Sequence, residues 1–349
     1  MELYTLEKCC ELLKDFDISG IQSMEMIDSS HGEEDIRYNY ILDKKYVLRV
    51  NSANIFSEER FHELNALIQR YQDYGINAPL FLKDKYGVVL HEEDNIYYYV
   101  SEYLDGIIPP EDLSGKESAT LVYERIKLIS GFAKKYKNIQ LSSVVSMYSL
   151  FDLSPYDQIT GIDEKQDNLN TLLQALRECG EEETANKVEQ LNRNLREKLL
   201  QYYPRLPRCV FQGDENWQNV IVDSDYHITG LFDFNMSGTE VIVNYFANNA
   251  LLEPSCISDD FNKYSAKQLY RKTLADFKTN TQIIKQYYDF SNEEEIAYDL
   301  YTNIILLSSW PNVCTFRKAL EEKEEISKVI EILELIIDYL NNKEEYFNS

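Results

Sequence analysis

The sequence predicts an α+β protein of two lobes: a strand-rich first part with a single long helix, then a mainly helical part with a small amount of sheet. Three observations carry this. The chain has 349 residues, which at about 100 to 200 residues per domain makes two domains or one large two-lobed fold. Its apolar spacing is mostly strand-like up to residue 105 and helical beyond Pro109-Pro110. Hydrophobic residues at 44% and charged residues at 27% match ordinary globular sequence, which excludes disorder, collagen and low complexity. The expected division is 1–105 and 106–349, with a hinge near 102–110 and no internal repeat.

The elements follow in order. Leu6, Cys10, Leu13 and Phe16 share one face of an opening amphipathic helix. Residues 21–50 change to a strand period, clearest in YNYILDKKYVLRV. Apolar and aromatic residues alternate there on both sides of Asp43-Lys44, which predicts two antiparallel strands joined by a tight turn, the second running from Tyr46 to Val50. Ser57 to Tyr74 opens with a capping SEE and places Phe61, Leu64, Leu67, Ile68 and Tyr71 at helical spacing, so it reads as a helix that Gly75 ends. Pro79–Leu82, Gly87–His91 and Ile96–Leu104 read as three more strands. Helices are expected at 116–137, 164–179 and 182–203, with three or four more between 265 and 341. Strand-like Cys209–Gln212, Val220–Asp223 and His227–Phe232 interrupt them, and the Ile/Leu/Val stripe at 326–340 reads as a packed C-terminal helix.

Charge and cysteines narrow the function. The formal charge of −25 repels phosphate backbones, so nucleic acid is excluded as a general partner, and the acidic field leans toward an amine-bearing ligand. Six scattered cysteines without a CxxC pair read as free thiols, and the four histidines have no partner at metal-ligand spacing. The start lacks a basic region followed by an apolar stretch, and the best apolar run, IILL at 304–307, stops at SSW. No membrane partner and a reducing cytoplasm are the expectations.

The segment CVFQGDENWQNVIVDSDYHITGLFDFN, residues 209–235, carries the chemistry. It places Asp214 and Asn219 in a loop between two strands and Asp233 at the end of the next strand. Three oxygen ligands at one sheet end suit Mg²⁺, a hard cation. Phosphoryl transfer needs the same set: one Asp to accept the proton of a hydroxyl, an Asn and a second Asp to hold the metal that bridges nucleotide phosphates. Any single loop Asp or Asn is most often a turn former, and it is the three together, preceded by the strand cation Arg49 and the helical Glu63, that point to a site.

QGDENWQN resembles the HGDxxxxN loop of the aminoglycoside phosphotransferase and choline kinase family, relatives of the protein kinases, and DFN resembles that family's DFG-type metal motif. VLR with Arg49, Glu63 in the following helix, INAP at 76–79 and SEYLDG at 101–106 keep the family order, so the resemblance spans roughly residues 25–250. It implies a bilobal protein-kinase-like fold with a nucleotide-binding lobe at 1–105 and an acceptor-binding helical lobe at 106–349. It further implies Asp214 as catalytic base, Asn219 and Asp233 as Mg²⁺ ligands, Arg49 on the α/β-phosphates with Glu63 orienting it, and the backbones of Glu102 and Leu104 on the adenine.

The chain departs from the family pattern at four points. Gln212 replaces His, a change expected to alter one hydrogen bond and to spare activity. The phosphate-covering SSHGEED at 29–35 offers one glycine, Gly32, and two adjacent acids. Arg replaces Lys at position 49, and a guanidinium still binds phosphate oxygens. Asn235 stands where Gly is usual, the residue next most tolerant of a left-handed backbone. The leading function is a kinase that uses ATP or GTP to phosphorylate a hydroxyl of a small molecule: an amino alcohol, an aminoglycoside or an amino sugar. The acids at 163–168, Glu240 and SDDF at 258–261 are candidate contacts for a cationic acceptor or else solvated surface; Asn216 and Trp217 either line the cleft, or Trp217 packs under the loop. The alternative is a non-catalytic kinase-like ligand-binding or regulatory module. A protein kinase proper is disfavoured, because HRD, APE and an activation segment are absent from the sequence.

Overall fold

The computed structural model describes residues 4–30, 32, 35–52, 57–139, 148, 150–151, 163–252 and 257–341. In chain order they form α1 (Leu6–Leu12), β1 (Met24–Asp28), β2 (Arg37–Leu42), β3 (Tyr46–Asn51), α2 (Glu58–Asp73), β4 (His91–Glu93), β5 (Ile96–Glu102), α3 (Gly115–Tyr136), α4 (Glu164–Glu178), α5 (Glu182–Leu200), β6 (Arg208–Phe211), β7 (Val220–Val222), β8 (Ile228–Leu231), β9 (Gly238–Val241), α6 (Ile242–Leu252), α7 (Ile257–Asp260), α8 (Ala266–Tyr287), α9 (Asn292–Ser308), α10 (Trp310–Glu321) and α11 (Ile326–Asn341). Two compact units result, Met1–Leu113 with Asp214–Asn235, and Ser114–Gly213 with Met236–Ser349.

The first unit is built on an antiparallel sheet of order β1-β2-β3-β5-β4. The β2–β3 turn has left-handed backbone at both Asp43 and Lys44 (φ 50° and 51°), the primed geometry whose twist matches that of the paired strands. Asp43 also fastens the chain upstream of β1, its carboxylate accepting from Ser23 N at 2.7 Å and Ser23 Oγ at 2.8 Å. Alternation along the strands then sorts the faces. Tyr40, Leu42, Leu48, Val50, Tyr98 and Val100 form one core with Cys9, Leu12, Leu13 and Phe16. The opening helix thus buries Cys9 rather than Cys10, because α1 gives way at Leu13 to a single 3-10 turn with a different angular step. Arg49 and Asn51 stand on the opposite face with Tyr99, against which Phe61 of α2 packs at a ring distance of 4.7 Å.

Helix α2 starts and stops as its sequence predicts. Ser57 accepts from Arg60 N at 3.2 Å, and the helix ends where Gly75 takes φ 95°. Two strand expectations are corrected. Pro79–Leu82 makes only an isolated bridge from Phe81 to Ser101, and Gly87–His91 is irregular up to His91. The cause is side-chain competition for the backbone amides. Asp84 accepts from Tyr86 N and Val88 N, both at 2.8 Å, and Glu58 of α2 accepts from Val89 N and Leu90 N, both at 3.0 Å. The β7–β8 hairpin belongs to the same unit: Asn77 donates to Thr229 O at 2.9 Å and accepts from Leu231 N at 2.8 Å, and Val222 N donates to Ile107 O at 2.9 Å.

The second unit is helical around the β6–β9 pair. Four helices follow residue 265, and the stripe of α11 buries Val329, Ile332, Leu333 and Ile336 completely. The sequence reading missed β9 and α6. Their run GTEVIVNYFANNALL is buried almost all round, so it carries neither a strand nor a helix period. The IILL segment lies in α9 as core, and among the described residues no helix is long and apolar enough to cross a membrane.

Candidate active site

The loop after β6 is held at its root by close packing. Gln212 is fully buried, and its carbonyl accepts from Ser237 Oγ at 3.0 Å. Gly213 has φ 93°, and a Cβ there would lie 2.3 Å from Met236 O, so no other residue fits without moving backbone. Beyond it, Asp214 is gripped from two sides. Asn219 Nδ2 donates to Asp214 Oδ2 at 2.8 Å and to its carbonyl at 2.9 Å, and Asn216 Nδ2 donates to Oδ1 at 2.9 Å. Asn216 also accepts from Gln218 N at 2.8 Å, which caps the 3-10 turn Trp217–Asn219 and sets the loop's shape. The carboxylate is therefore oriented by neutral side-chain amides on both oxygens.

Both side-chain hydrogen bonds of Asn219 use Nδ2, so Oδ1 is the atom that could bind a cation. Phe232 N donates to Asn219 O at 3.1 Å, so the backbone just before Asp233 is bonded to Asn219. Asp233 itself has φ 56°, an outlier for a non-glycine residue that the surrounding structure must hold. The anchor is Phe234, fully buried with its ring edge-on to Tyr71 of α2 at 5.7 Å. The left-handed residue of this motif is thus Asp233 rather than Asn235, and Asn235 N instead points back to Asp233 Oδ1 at 3.4 Å. One amide oxygen and one carboxylate fit a cation that takes its remaining ligands from phosphate and water, as Mg²⁺ does. An all-protein cage is not built: among the described residues no three His, Cys, Asp or Glu side chains gather to hold a metal.

Arg49 lies in β3 directly opposite Tyr99 of β5. Its Nε is buried without a hydrogen-bond partner. The expected pairing of Arg49 with Glu63 is not formed, since among the described residues Arg49 makes no ion pair. Glu63 acts instead on Arg60, one helical turn earlier, whose guanidinium burial brings down to about 10 while Glu63 opposes that shift.

At the end of β5 the Glu102 amide is already used, donating to Leu80 O at 3.0 Å, and the Glu102 carboxylate accepts from Leu80 N at 3.0 Å. Leu104 differs. Among the described residues its amide donates to no acceptor, and its side chain lies so close to Gly230 of β8 that a Cβ there would be 2.9 Å from Leu104 Cδ2.

The remaining sequence candidates are mostly committed elsewhere. Asp163 caps α4 and pairs with Arg196, Glu164 pairs with Lys165 at 2.8 Å, and Asp260 pairs with Lys263 at 3.0 Å. Three histidines have a carboxylate neighbour, Glu58 for His62, Asp84 for His91 and Asp223 for His227. In the 29–35 loop, His31, Glu33 and Glu34 lie outside the described residues, and Asp35 is bound by Arg37 at 2.7 Å. Sequence reading missed Asn216 as the second amide on Asp214, and it missed the close approach at Gly213. A short side chain at an Asx turn beside the Asp was the available signal for the first.

The chain shares its fold with solved kinases. It is similar to a microcompartment-associated aminopropanol kinase at 12% identity, TM-score 0.55, covering 97% of this chain and 98% of that one. It is similar also to an amicoumacin kinase in complex with AMP-PNP, Ca²⁺ and Ami, at 13% identity, TM-score 0.50, covering 92% and 94%. At these identities the likeness is one of fold, protein-kinase-like and α+β. No curated protein sequence matches the chain. Residues 30–243 match the family model of the phosphotransferase enzyme family, a span that contains Arg49, Asp214, Asn219 and Asp233. The chain therefore belongs to the phosphotransferase enzyme family and is a phosphotransferase with an alcohol group as acceptor.

Proposed function

We propose that the chain is a small-molecule kinase that moves the γ-phosphoryl group of ATP or GTP to a substrate hydroxyl, with Mg²⁺ bound. The observation that supports it best is the double grip of Asn216 and Asn219 on Asp214, which orients a carboxylate and leaves it able to take a proton. The acceptor oxygen forms the new bond to the γ-phosphorus, the bond from that phosphorus to the bridging oxygen breaks, and the hydroxyl proton passes to Asp214. Asn219 Oδ1 and Asp233 hold the metal, which when bound neutralises charge developing on the phosphates. Arg49 pairs with phosphate oxygens, and the Leu104 amide and the Glu102 backbone meet the base. Residues 1–105, with the loop and strand residues Asn219 and Asp233, serve the nucleotide and metal, and the rest of 106–349 serves the acceptor.

An amino alcohol heads the acceptor classes, with aminoglycosides and amino sugars behind it. The net charge of −25 favours a cation, and an amino alcohol is the acceptor named for the aminopropanol kinase of like fold. Asp214→Asn is the test. It keeps size and hydrogen bonding but removes the proton acceptor, so Mg²⁺-nucleotide affinity should hold while turnover on a panel of hydroxyl compounds, read as nucleoside diphosphate release, falls by about 10² to 10⁴. Equal turnover in both forms would remove Asp214 as the base, and no turnover in the wild type on any acceptor would favour a binding module.

A further inference from the structure

The loop that bears Asp214 is tied to a second stretch of chain that its motif does not contain. Residues 106–109, just past β5, run alongside 218–222 within one compact unit. Val222 N donates to Ile107 O at 2.9 Å, and Gly106 lies so close to Ile221 that a Cβ would collide with the isoleucine side chain. Gln218 makes the third tie, its Nε2 donating to Pro109 O at 3.3 Å. Pro109 is buried, its own ring locks φ and the ring of Pro110 restricts ψ, so that carbonyl is a well-placed acceptor. From Gln218 the bonds lead inward. Its backbone N–H donates to Asn216 Oδ1 at 2.8 Å, and Asn216 Nδ2 donates to Asp214 Oδ1 at 2.9 Å. One amide group accepts at one end and donates at the other, so its plane follows from where Gln218 stands. Asn216 is exposed, and water contests an exposed hydrogen bond unless the donor is held in place. Gln218 connects that donor, through its own backbone and side chain, to Pro109.

We propose that Gln218 is a positioning residue for phosphoryl transfer, which carries the placement of 106–109 through Asn216 to the carboxylate of Asp214. This rests on the reading of Asp214 as the base only in its consequence for turnover, so the test has two arms. In nucleotide-free full-length protein labelled at asparagine, the side-chain amide resonances that vanish in Asn216→Ala belong to Asn216. Gln218→Met keeps the length of the side chain and removes the donor, so those resonances should move toward the position of a free amide. Gln218→His returns an N–H at similar reach and should restore them. The second arm uses Mg²⁺-ATP and the member of the hydroxyl panel that the wild type turns over best. There Gln218→Met should lower kcat by about 3- to 10-fold, the scale of one neutral hydrogen bond, with KM for nucleotide and acceptor changed by less than about 2-fold. Gln218→His should recover most of the loss. In an Asn216→Ala background Gln218→Met should cost less than about 2-fold, since the relay is already cut. Asn216 resonances that stay in place in Gln218→Met would overturn the proposal. So would a Gln218→Met loss that is undiminished without Asn216, or one that falls on KM. If Asp214→Asn matches the wild type, or the wild type uses no acceptor, the reading of Asp214 as base fails, and the first arm still decides whether Gln218 holds Asn216.

Discussion

Replacing Gly213 by Ala isolates the packing that roots the catalytic loop. Two costs arise. An L-residue at φ 93° is in left-handed space, worth about 1 to 2 kcal/mol. The added Cβ would also meet Met236 O at 2.3 Å and Met236 C at 2.9 Å, both backbone atoms, so one strand of chain must yield by about 1 Å, and such overpacking costs about 1 to 3 kcal/mol. Alanine recovers about 0.4 to 1 kcal/mol by stiffening the unfolded chain, which leaves a net loss near 2 to 4 kcal/mol. Gly75→Ala is the matched control: its φ is 95°, yet nothing lies within 4 Å of its Cβ position. It should cost only about 0.5 to 1 kcal/mol, since the backbone term and the unfolded-state term are shared. Urea denaturation of the two variants reads the difference, and turnover reads the consequence, because Gly213 and Met236 flank the segment that bears Asp214, Asn219 and Asp233. Equal stability losses in the two variants would refute the close-approach account of Gly213.

Three further outcomes are expected. Asp233→Ala should abolish the Mg²⁺-dependent part of the thermal shift given by nucleotide while the apo melting temperature stays near wild type, and a persisting Mg²⁺ effect would move the metal elsewhere. Arg49→Ala should weaken nucleotide binding more than Arg49→Lys, which keeps the charge and loses the fork; calorimetric titration that finds equal small losses would leave Arg49 a structural residue. Glu294 is raised by burial but lowered overall, by hydrogen bonds from Tyr288 at 2.5 Å and Ser291 N at 3.0 Å and by the Lys137 charge. A depressed carboxylate stabilises above its unfolded value and loses that contribution as pH falls through its folded value, so Glu294→Gln should lower stability at pH 7 and flatten the decline below about pH 4, as denaturation across pH reads.

How far the sequence revealed this molecule follows from what each signal depends on. Local periodicity suffices where one face is buried and the other wet. The hairpin of Tyr46–Asn51, the capped α2 and the stripe of α11 were legible for that reason. It fails where both faces are buried, as in β9 and α6, and where side chains from far along the chain take up the backbone amides, as Glu58 does for Val89 and Leu90. The site divides the same way. Asp214, Asn219 and Asp233 lie within twenty residues of each other, so spacing could find them. The environment of Arg49 depends on strand register and on which turn of α2 faces it, which spacing does not give; the family resemblance pointed to Glu63, whereas the ladder sets Arg49 opposite Tyr99.

The division of the chain gives this placement a mechanical sense. Asp214–Asn235 belongs to the unit that contains Arg49 and Leu104, although 100 residues of the other unit, Ser114–Gly213, precede it in sequence. Three ties make it so: Asn77 with Thr229 and Leu231, Ile107 with Val222, and Leu104 against Gly230. Each is a backbone or close-packed contact within the first unit. The groups proposed to touch nucleotide and metal thus lie in one compact unit. Under the proposed function, binding of Mg²⁺-nucleotide and the choice of acceptor would be separable. Asp214→Asn and Asp233→Ala should then differ in nucleotide affinity although both residues sit on the same short segment, because in the proposed roles one takes the proton of the acceptor and the other holds the metal on the phosphates.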